Sequence, residues 1–486
     1  MPEAKQSTDR IEPYVWKIAG VVILGMMMSI LDTTIVNVAL DTLGRDLHST
    51  IAQIQWVATG YLLALAAVIP LTGWAARRFG AKRVYLYSIV LFTIGSALCG
   101  LAESSTSLIL FRVLQGIGGG MIMPIAQMIM AEVAGPKRMG RVMGIVVMPA
   151  MLAPILGPVV GGLILENLHW SWIFFVNVPV GILAAVLAMR MLPDSELGEA
   201  GKLDVVGLVL LVTGMPLIVY GLAEIGSRGS FTAPTVVWPI VAGVALLAAF
   251  GRHALRTARP LLDVRLYANR VFGAASLTTF GLGAALFGAM ILIPLYYQQV
   301  RGESVIVTGL LVGPQGLGML AVAPFTARLT QRFGGGRVAI VGVSVLALSS
   351  LPLAFIGADT SIVLISLALL LRGVGIGLSF IPTTTVAFAS LRTDQLSDAT
   401  PQMNVLQRVG GAIGTAVLAV VLQRASAGAQ TPSELAGAFA TANWWALGIV
   451  VLSLIPCIVL LRAEGPRHTP TAAEEIAEAE LEPLGA

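Results

Sequence analysis

One carboxylate, Asp32, lies inside the first long apolar run of the sequence. A charged Asp at the centre of a bilayer is unfavourable by about 2.5 to 3.5 kcal/mol on insertion scales, so such a group usually faces a wet cavity, a partner charge or a bound proton. Taking up and releasing a proton is the chemistry that a lone carboxylate can perform in this setting. Asp32 is therefore a candidate proton-binding residue.

Arg112 and Gln115 lie three residues apart in a later apolar run, which places them on one face of a predicted helix. At 1.5 Å per residue, Asp32 lies roughly 25 Å along its helix and Arg112 about 9 Å along a helix that enters from the other side, so both are expected at similar depth. A nearby cation favours the ionised acid, whereas desolvation favours the neutral acid. If these two helices are neighbours, we predict that Asp32 holds an exchangeable proton, that Arg112 tunes it and that Gln115 extends the polar path. The alternative is a static ion pair that joins two helices.

The composition indicates a membrane protein that crosses the bilayer many times. Of the 486 residues 56% are hydrophobic and 12% are charged, with a mean hydropathy of +0.87. A span needs about 20 mainly apolar residues. Fourteen such runs are present, near 15–40, 51–76, 83–102, 106–131, 140–165, 171–192, 203–224, 233–251, 271–299, 305–327, 337–357, 360–388, 400–423 and 440–461. We predict an all-α membrane protein with 14 transmembrane helices.

The distribution of Lys and Arg predicts the orientation, because cytoplasmic loops retain positive charge. With both termini inside, 23 of the 30 basic residues fall in cytoplasmic segments. The net charge of +4 follows from this bias and predicts no nucleic-acid partner. The first apolar run is too long and too polar for a cleaved signal. Cys99 and Cys457 lie far apart within spans, so no disulfide, metal or other cofactor is expected.

An internal repeat divides the chain into halves. The stretch from Arg78 to Val84 recurs from Arg332 to Val338, and the stretch from Gln115 to Gly120 has a weaker second copy from Arg372 to Gly377. We predict two pseudo-symmetric six-helix halves, 1–192 and 266–462, with two inserted helices and their linkers in 193–265 and a disordered acidic tail in 463–486. Parallel halves with a site between them are typical of alternating-access transporters.

Four stretches together resemble the motifs of a known family. They are Leu31 to Leu40 in the first helix, Gly73 to Arg83 in the loop after the second helix, Arg112 to Gly116 in the fourth helix and Ala153 to Gly162 in the fifth helix. The chain resembles the major facilitator superfamily, specifically its fourteen-helix drug:proton antiporters of the EmrB/QacA type. Two positions depart from the pattern: Arg77 replaces an Asp of the loop, which weakens any expectation of a gating latch there, and Ala153 replaces a Gly.

The resemblance extends the set of candidate residues. It implies proton coupling by Asp32 and Arg112, a cavity lined by Asn37, Gln115, Asn404 and Arg408, a gating loop with Gly73, Arg77, Arg78, Gly80, Lys82 and Arg83, and an antiport helix with Pro154, Gly157, Pro158, Gly161 and Gly162. The basic loop residues are equally consistent with a role in topology alone. The glycines are more simply explained by close helix packing than by a hinge.

The expected function is proton-coupled multidrug efflux from the cytoplasmic membrane of a bacterium, with H⁺ as the coupling ion and no enzymatic activity. The one embedded acid favours neutral or cationic lipophilic substrates. A monomer in the lipid bilayer is expected, and an accessory envelope partner is left open. The alternatives are a dedicated exporter of one lipid or secondary metabolite, and a membrane scaffold or receptor that transports nothing.

Overall fold

The structure is a computed structural model that describes residues 13–194, 201–228, 231–392 and 395–464, without the side chains of 134–155 and of a few single positions. The regular structure of these residues is helical. The α-helices are α1 (Pro13–Asp46), α2 (Ile51–Val68), α3 (Thr72–Phe79), α4 (Ala81–Gly100), α5 (Ser105–Asn167), α6 (Trp172–Phe175), α7 (Asn177–Met191), α8 (Val205–Arg228), α9 (Pro234–Arg256), α10 (Arg270–Met290), α11 (Leu292–Gln299), α12 (Val305–Phe333), α13 (Gly335–Ala354), α14 (Ile362–Ala389), α15 (Leu396–Ser426), α16 (Pro432–Leu452) and α17 (Leu454–Glu464).

Several predicted spans contain a break, which is why the helices outnumber them. A short 3₁₀ turn at Ile69–Leu71 separates α2 from α3, and single non-helical residues separate α10 from α11 and α16 from α17. Proline lies at or just after each of these breaks, at Pro70, Pro294 and Pro456, where it removes a helical hydrogen bond. Thirteen helical segments within the described residues are long and apolar enough to cross a membrane.

The element α5 contains two spans rather than one. Arg112 contacts Asp32, and Gly157 packs against Thr34, two residues farther along α1. The 45 residues from Arg112 to Gly157 would extend roughly 68 Å as a straight helix. The chain therefore reverses within α5, and its return limb provides the fourteenth span. The polar stretch 132–139 lies between these two limbs, and its described backbone is helical.

The start of α1 and the end of α17 lie at the same end of the bundle, here called the terminal face, opposite the distal face. One apolar cluster at the terminal face contains Val15 of α1 and Leu460 of α17. The same cluster includes Met128 from the first half and Phe272 and Phe388 from the second. At the terminal face the two halves therefore share one core.

At the distal face each half has its own core. One cluster joins Val36, Val57 and Phe174 of the first half. Another joins Tyr296 and Phe439 of the second half. Direct contact between the halves near this face occurs where Gly162 of the α5 return limb meets Ile306 of α12. The structure is therefore closed more tightly at the terminal face.

The inserted helices α8 and α9 form a pair that lies against both halves. Trp56 of α2 stacks on Tyr220 of α8 with ring centroids 5.8 Å apart. On the other side, Ile218 and Leu222 of α8 share an apolar cluster with Val420 of α15. The pair thus covers the seam between α2 and α15.

Asp204, directly before α8, connects the inserted helices α8 and α9 with the segment that follows α9. Its carboxylate is 2.7 Å from Nε2 of His253 and accepts hydrogen bonds from the backbone N–H of Gly207 and Leu261. Partial burial opposes ionisation, but the hydrogen bonds from Gly207, His253 and Leu261 outweigh it and lower the pKa of Asp204. These bonds connect α8, α9 and the segment after α9.

Asp204→Asn is expected to lower the unfolding free energy by about 1 to 3 kcal/mol at neutral pH, because buried donors lose their charged acceptor. Since the pKa of Asp204 is lowered in the folded state, its contribution is complete above the ordinary range of an Asp and is lost as the pH falls. Thermal unfolding of both proteins from pH 7 downward measures this. A difference that stays constant into the acid range would contradict the role of the charge.

The two copies of the repeated loop each bind an acidic residue from the end of their own half. Nζ of Lys82 is 2.9 Å from Asp194, and this hydrogen bond lowers the pKa of Asp194. In the second copy the carboxylate of Glu464 accepts hydrogen bonds from the backbone N–H of Gly335 and Gly336. Residues 463 and 464, the first two residues of the predicted tail, belong to α17, and residues 465–486 lie outside the described part.

Candidate functional site

Asp32 is fully buried at the centre of a polar network that joins five helices, α1, α2, α4, α5 and α7. Nη1 of Arg112 donates to its Oδ2 at 2.5 Å. Nε2 of Gln115 and Nδ2 of Asn177 donate to Oδ1 at 2.8 and 3.0 Å. Asp32 and Arg112 are 0% and 1% exposed. The predicted trio of Asp32, Arg112 and Gln115 is thus brought together, with Asn177 as a fourth member.

Arg112 is held by further contacts that fix the plane of its guanidinium. Nε donates to the backbone carbonyl of Val57 at 3.2 Å, and Nη1 also donates to Oε1 of Gln115 at 2.8 Å. The guanidinium lies 4.0 Å from the ring centroid of Tyr61, a cation–π geometry. The Tyr61 hydroxyl is 3.4 Å from Ser29 Oγ on α1. The cation therefore ties α1, α2 and α5 together.

Asn177, Ser96 and Tyr61 belong to the network but are not among the residues predicted from the sequence. Nδ2 of Asn177 donates to Oγ of Ser96 as well as to Asp32, and Ser96 donates to the backbone carbonyl of Phe174. A signal for Asn177 was present, because it is a lone amide in an apolar stretch. Serine and tyrosine are ordinary in membrane helices, so their types alone carry no comparable signal.

The network can hold or release one proton only by rearranging. Both carboxylate oxygens of Asp32 accept hydrogen bonds, from Arg112, Gln115 and Asn177. Protonation would cancel the attraction to Arg112, and that attraction is strong because neither group is in contact with water. In this conformation Asp32 is sealed from both faces, so proton exchange requires the helices around it to separate.

Arg112→Gln is expected to leave a folded protein whose stability falls as the pH rises. Without the guanidinium, Asp32 is a buried acid with no counter-ion, and it avoids the cost of a buried charge by binding a proton. Because this proton binds only to the folded state, it stabilises the fold at low pH. That stabilisation is lost as the pH rises. Thermal unfolding in detergent at pH 5.5 and pH 8 measures the effect. The double variant Asp32→Asn with Arg112→Gln should lose the pH dependence, and equal pH dependence in both variants would contradict the assignment.

At the terminal face, Arg77 connects the two halves. Its Nη1 donates to Oγ of Ser397 at 2.6 Å and to Oδ1 of Asp398 at 2.9 Å, both on α15. Gly73, one turn earlier, packs so closely that a Cβ atom there would overlap the backbone carbonyl of Ser397. A latch between the halves therefore exists although the family's loop Asp is absent, with the cation on the first half and the acid on the second.

The other loop residues contact their own half. Gly80 ends α3 with φ of 84°, a conformation that favours glycine. Lys82 binds Asp194, while Arg78 and Arg83 are exposed on the terminal face. Arg83 adds to the positive field that lowers the pKa of Asp194. The described contacts of these residues thus fix the loop within the first half.

The predicted cavity residues do not all lie together. Nδ2 of Asn404 on α15 donates at 2.8 Å to Oε1 of Gln127 on α5, so this pair crosses between the halves. Arg408, one turn beyond Asn404, is half-buried. Asn37 is exposed on α1 about 140° around the helix from Asp32 and takes no part in the network as described.

The glycines of the antiport helix bring its return limb against α1. Gly157 packs on Thr34 and Gly161 on Ile35, while Gly162 contacts Ile306 of the second half. Close approach of backbones at small residues is the usual reason for such a pattern in membrane helices. Pro154 and Pro158 lie outside the residues whose side chains are described.

The fold and the site define a membrane transporter built from two similar halves around a buried charge pair. The family model of the Major Facilitator Superfamily matches residues 22–415. The Multidrug resistance protein B homolog of Mycobacterium tuberculosis is 39% identical over 417 residues, covering 85% of this chain and 77% of that protein. The multidrug export protein EmrB of Haemophilus influenzae is 32% identical over 397 residues, covering 81% of this chain and 78% of that protein.

A solved structure of a double-tryptophan mutant of XylE matches with a TM-score of 0.66 at 14% identity, covering 96% of this chain and 99% of that chain, which supports the fold alone. The chain belongs to the major facilitator superfamily, among its fourteen-helix drug:proton antiporters of the EmrB/QacA type. The resemblance inferred from the motifs is confirmed. The protein is a multi-pass membrane transporter of the multidrug efflux class and not an enzyme.

Proposed function

We propose that this protein is a proton-coupled antiporter that exports lipophilic small molecules by alternating access across the cytoplasmic membrane of a bacterium. The observation that carries the proposal is the buried pair of Asp32 and Arg112, because a carboxylate deep within the spans with a cation partner and two amide donors is a site that one proton can switch.

The terminal face is assigned to the cytoplasm. The loop that carries Arg77, Arg78, Lys82 and Arg83 lies at this face, and positive loops are retained inside the cell. Both termini are then cytoplasmic. The conformation described is closed toward the cytoplasm by the shared apolar core and by the contacts of Arg77 with Ser397 and Asp398.

Protonation of Asp32 supplies the switch between conformations. In the deprotonated state the charge pair holds α1 to α5, and Gly157 and Gly161 pack against the same stretch of α1. A proton on Asp32 releases Arg112 from its counter-ion and weakens this contact. The halves can then rock, which exposes Asp32 to the cytoplasm, where loss of the proton restores the pair. Substrate binding in the opened centre and proton loss are linked because both use that opening.

The experiment that tests this proposal measures substrate movement driven by an imposed pH gradient. Purified protein is reconstituted into liposomes, and efflux of a neutral, a cationic and an anionic dye is followed: Nile red, ethidium and 8-anilinonaphthalene-1-sulfonate. We expect export of at least one dye only when the gradient is present, with matching proton movement reported by pyranine. Transport that ignores the gradient would overturn proton coupling.

The breadth of the dye panel separates the proposal from its nearest rival. A multidrug exporter moves several unrelated compounds, because binding rests on apolar contact and a few polar groups. A dedicated exporter of one lipid or metabolite would move none of the three dyes yet would still translocate protons with its own substrate. If extracts of the host's lipophilic compounds also cause no proton movement, both transport hypotheses fail. The remaining hypothesis is then a membrane scaffold or receptor that transports nothing.

A further inference from the structure

Arg372, in the middle of α14, is a buried cation without a counter-ion. It is 3% exposed, and no hydrogen bond, ion pair or ring contact to it exists among the described residues. Some polar side-chain atoms of the described residues are both fully buried and without a hydrogen-bond partner. None of the three Arg372 nitrogens is one of them, so each of these nitrogens keeps a small exposed area. In the repeat, Arg372 occupies the position of Gln115, which binds Asp32 in the first half.

Arg408 of α15, which is half-buried, is a second cation without a counter-ion among the described residues, and it lies on the helix face toward the first half. Asn404 lies one turn earlier on the same helix face and bonds to Gln127 across the interface. The Tyr61 hydroxyl of the first half lies within electrostatic range of Arg408. As with Arg372, no hydrogen bond or ion pair to Arg408 exists among the described residues. Arg408 therefore points toward the centre of the molecule.

In the described part of the second half, no acidic residue lies in the middle of a span. Among the described residues beyond 266, every Asp and Glu lies near a helix end or outside the helices, at positions 303, 359, 398, 434 and 464. The segment 134–155, whose side chains are not described, contains no acidic residue. In the first half Asp32 and Arg112 neutralise each other. The centre of the protein thus has an excess of positive charge.

The two cations lie at similar depth. Arg372 is ten residues, roughly 15 Å, from the distal start of α14, and Arg408 is twelve residues, roughly 18 Å, from the terminal start of α15. In a hydrocarbon core about 30 Å thick, both lie near the middle. Burying a charge without a partner costs several kcal/mol, so an anion that reaches this layer is favoured.

We propose that the second half presents an anion-binding site to the central cavity, with Arg408 in contact with the ligand and Arg372 supporting it electrostatically, and that the preferred substrates are lipophilic anions. This inference rests on the proposed export function and specifies its substrate class. It replaces the sequence-based expectation of neutral or cationic substrates, which considered Asp32 alone. Because Arg112 already neutralises Asp32, the unpaired arginines decide the sign of the field.

The experiment compares two probes of nearly identical size and shape and opposite charge, tetraphenylborate and tetraphenylphosphonium. Their binding to the whole purified protein in a neutral detergent is measured by equilibrium dialysis. We expect the wild-type protein to bind the borate tighter by about tenfold or more. Arg408→Gln should bring the two dissociation constants together. Arg424→Gln, an exposed position at the distal end of the same helix, should leave their ratio unchanged.

Arg372→Gln tests the supporting cation and separates binding from structure. Its dissociation constant for the borate should rise, while thermal unfolding of the ligand-free variant should occur at the same or a higher temperature, because an unpaired buried charge has been removed. A lower unfolding temperature would show that Arg372 serves the fold. Equal binding of both probes by the wild type, or an unchanged ratio in Arg408→Gln, would overturn the anion site.

Failure of this inference is distinct from failure of the proposed function, since dialysis requires no pH gradient. Proton-driven export of dyes without any preference for the borate would overturn the anion site and leave the antiporter intact. Preference for the borate without gradient-driven export would support the anion site and overturn proton coupling.

Discussion

Asp32→Asn is expected to reduce pH-driven export in liposomes to the level of protein-free vesicles. The amide side chain has nearly the shape of the acid but cannot exchange a proton, so the gradient can no longer do work through this site. Exchange of labelled substrate across the membrane without a gradient should persist, because it requires only the movement of the halves. Both rates are measured on the same preparation, with proton flux followed by pyranine.

The matched control is Asp46→Asn, the same substitution at the exposed distal end of α1. This variant should export at the rate of the wild type. Because Asp32→Asn leaves Arg112 buried without its counter-ion, a loss of stability of about 3 to 5 kcal/mol is also expected, and the gradient-free exchange reports whether folded protein remains. Full gradient-driven export by Asp32→Asn would show that another group carries the proton.

Gly73→Ala is expected to prevent closure of the terminal face. The added methyl group would overlap the Ser397 carbonyl, and overpacking of this kind costs about 1 to 3 kcal/mol. Only the closed conformation bears that cost, so the equilibrium shifts toward the conformation open at the terminal face. Export should fall by about tenfold or more, the rate equivalent of roughly 1.4 kcal/mol.

A cysteine at Ala399, a buried position of the terminal-face core, reports the conformation directly. Maleimide should label it slowly in the wild-type background and faster with Gly73→Ala. Gly20→Ala is the control, since no atom lies within 4 Å of the added carbon at that position of α1. Equal labelling in all three backgrounds would show that Gly73 does not limit closure.

The spans and the central charge pair could be predicted from the sequence because each has a strong local signal. Long apolar runs have few alternatives to crossing the bilayer, and a carboxylate such as Asp32 is too costly there to lack a partner. The depth estimate that placed Arg112 level with Asp32 needed only the helical rise. The placement of Asn404 at the central cavity stays a prediction.

Other features depend on which helices become neighbours, and no local pattern carries that information. Asp398 is one of several acids near helix ends, and only the packing of α3 against α15 shows that Arg77 binds it. The division of the chain into four segments stays a prediction.

The position of α8 makes the two sides of the transporter unequal toward the membrane. A compound dissolved in the lipid that approaches between α2 and α15 meets a helix bound to both, through Tyr220 on one side and Leu222 on the other. On the opposite side, the halves touch directly at contacts such as that of Gly162 with Ile306. The two lateral seams of the transporter are therefore closed in different ways, one by an inserted helix and the other by direct packing of the halves.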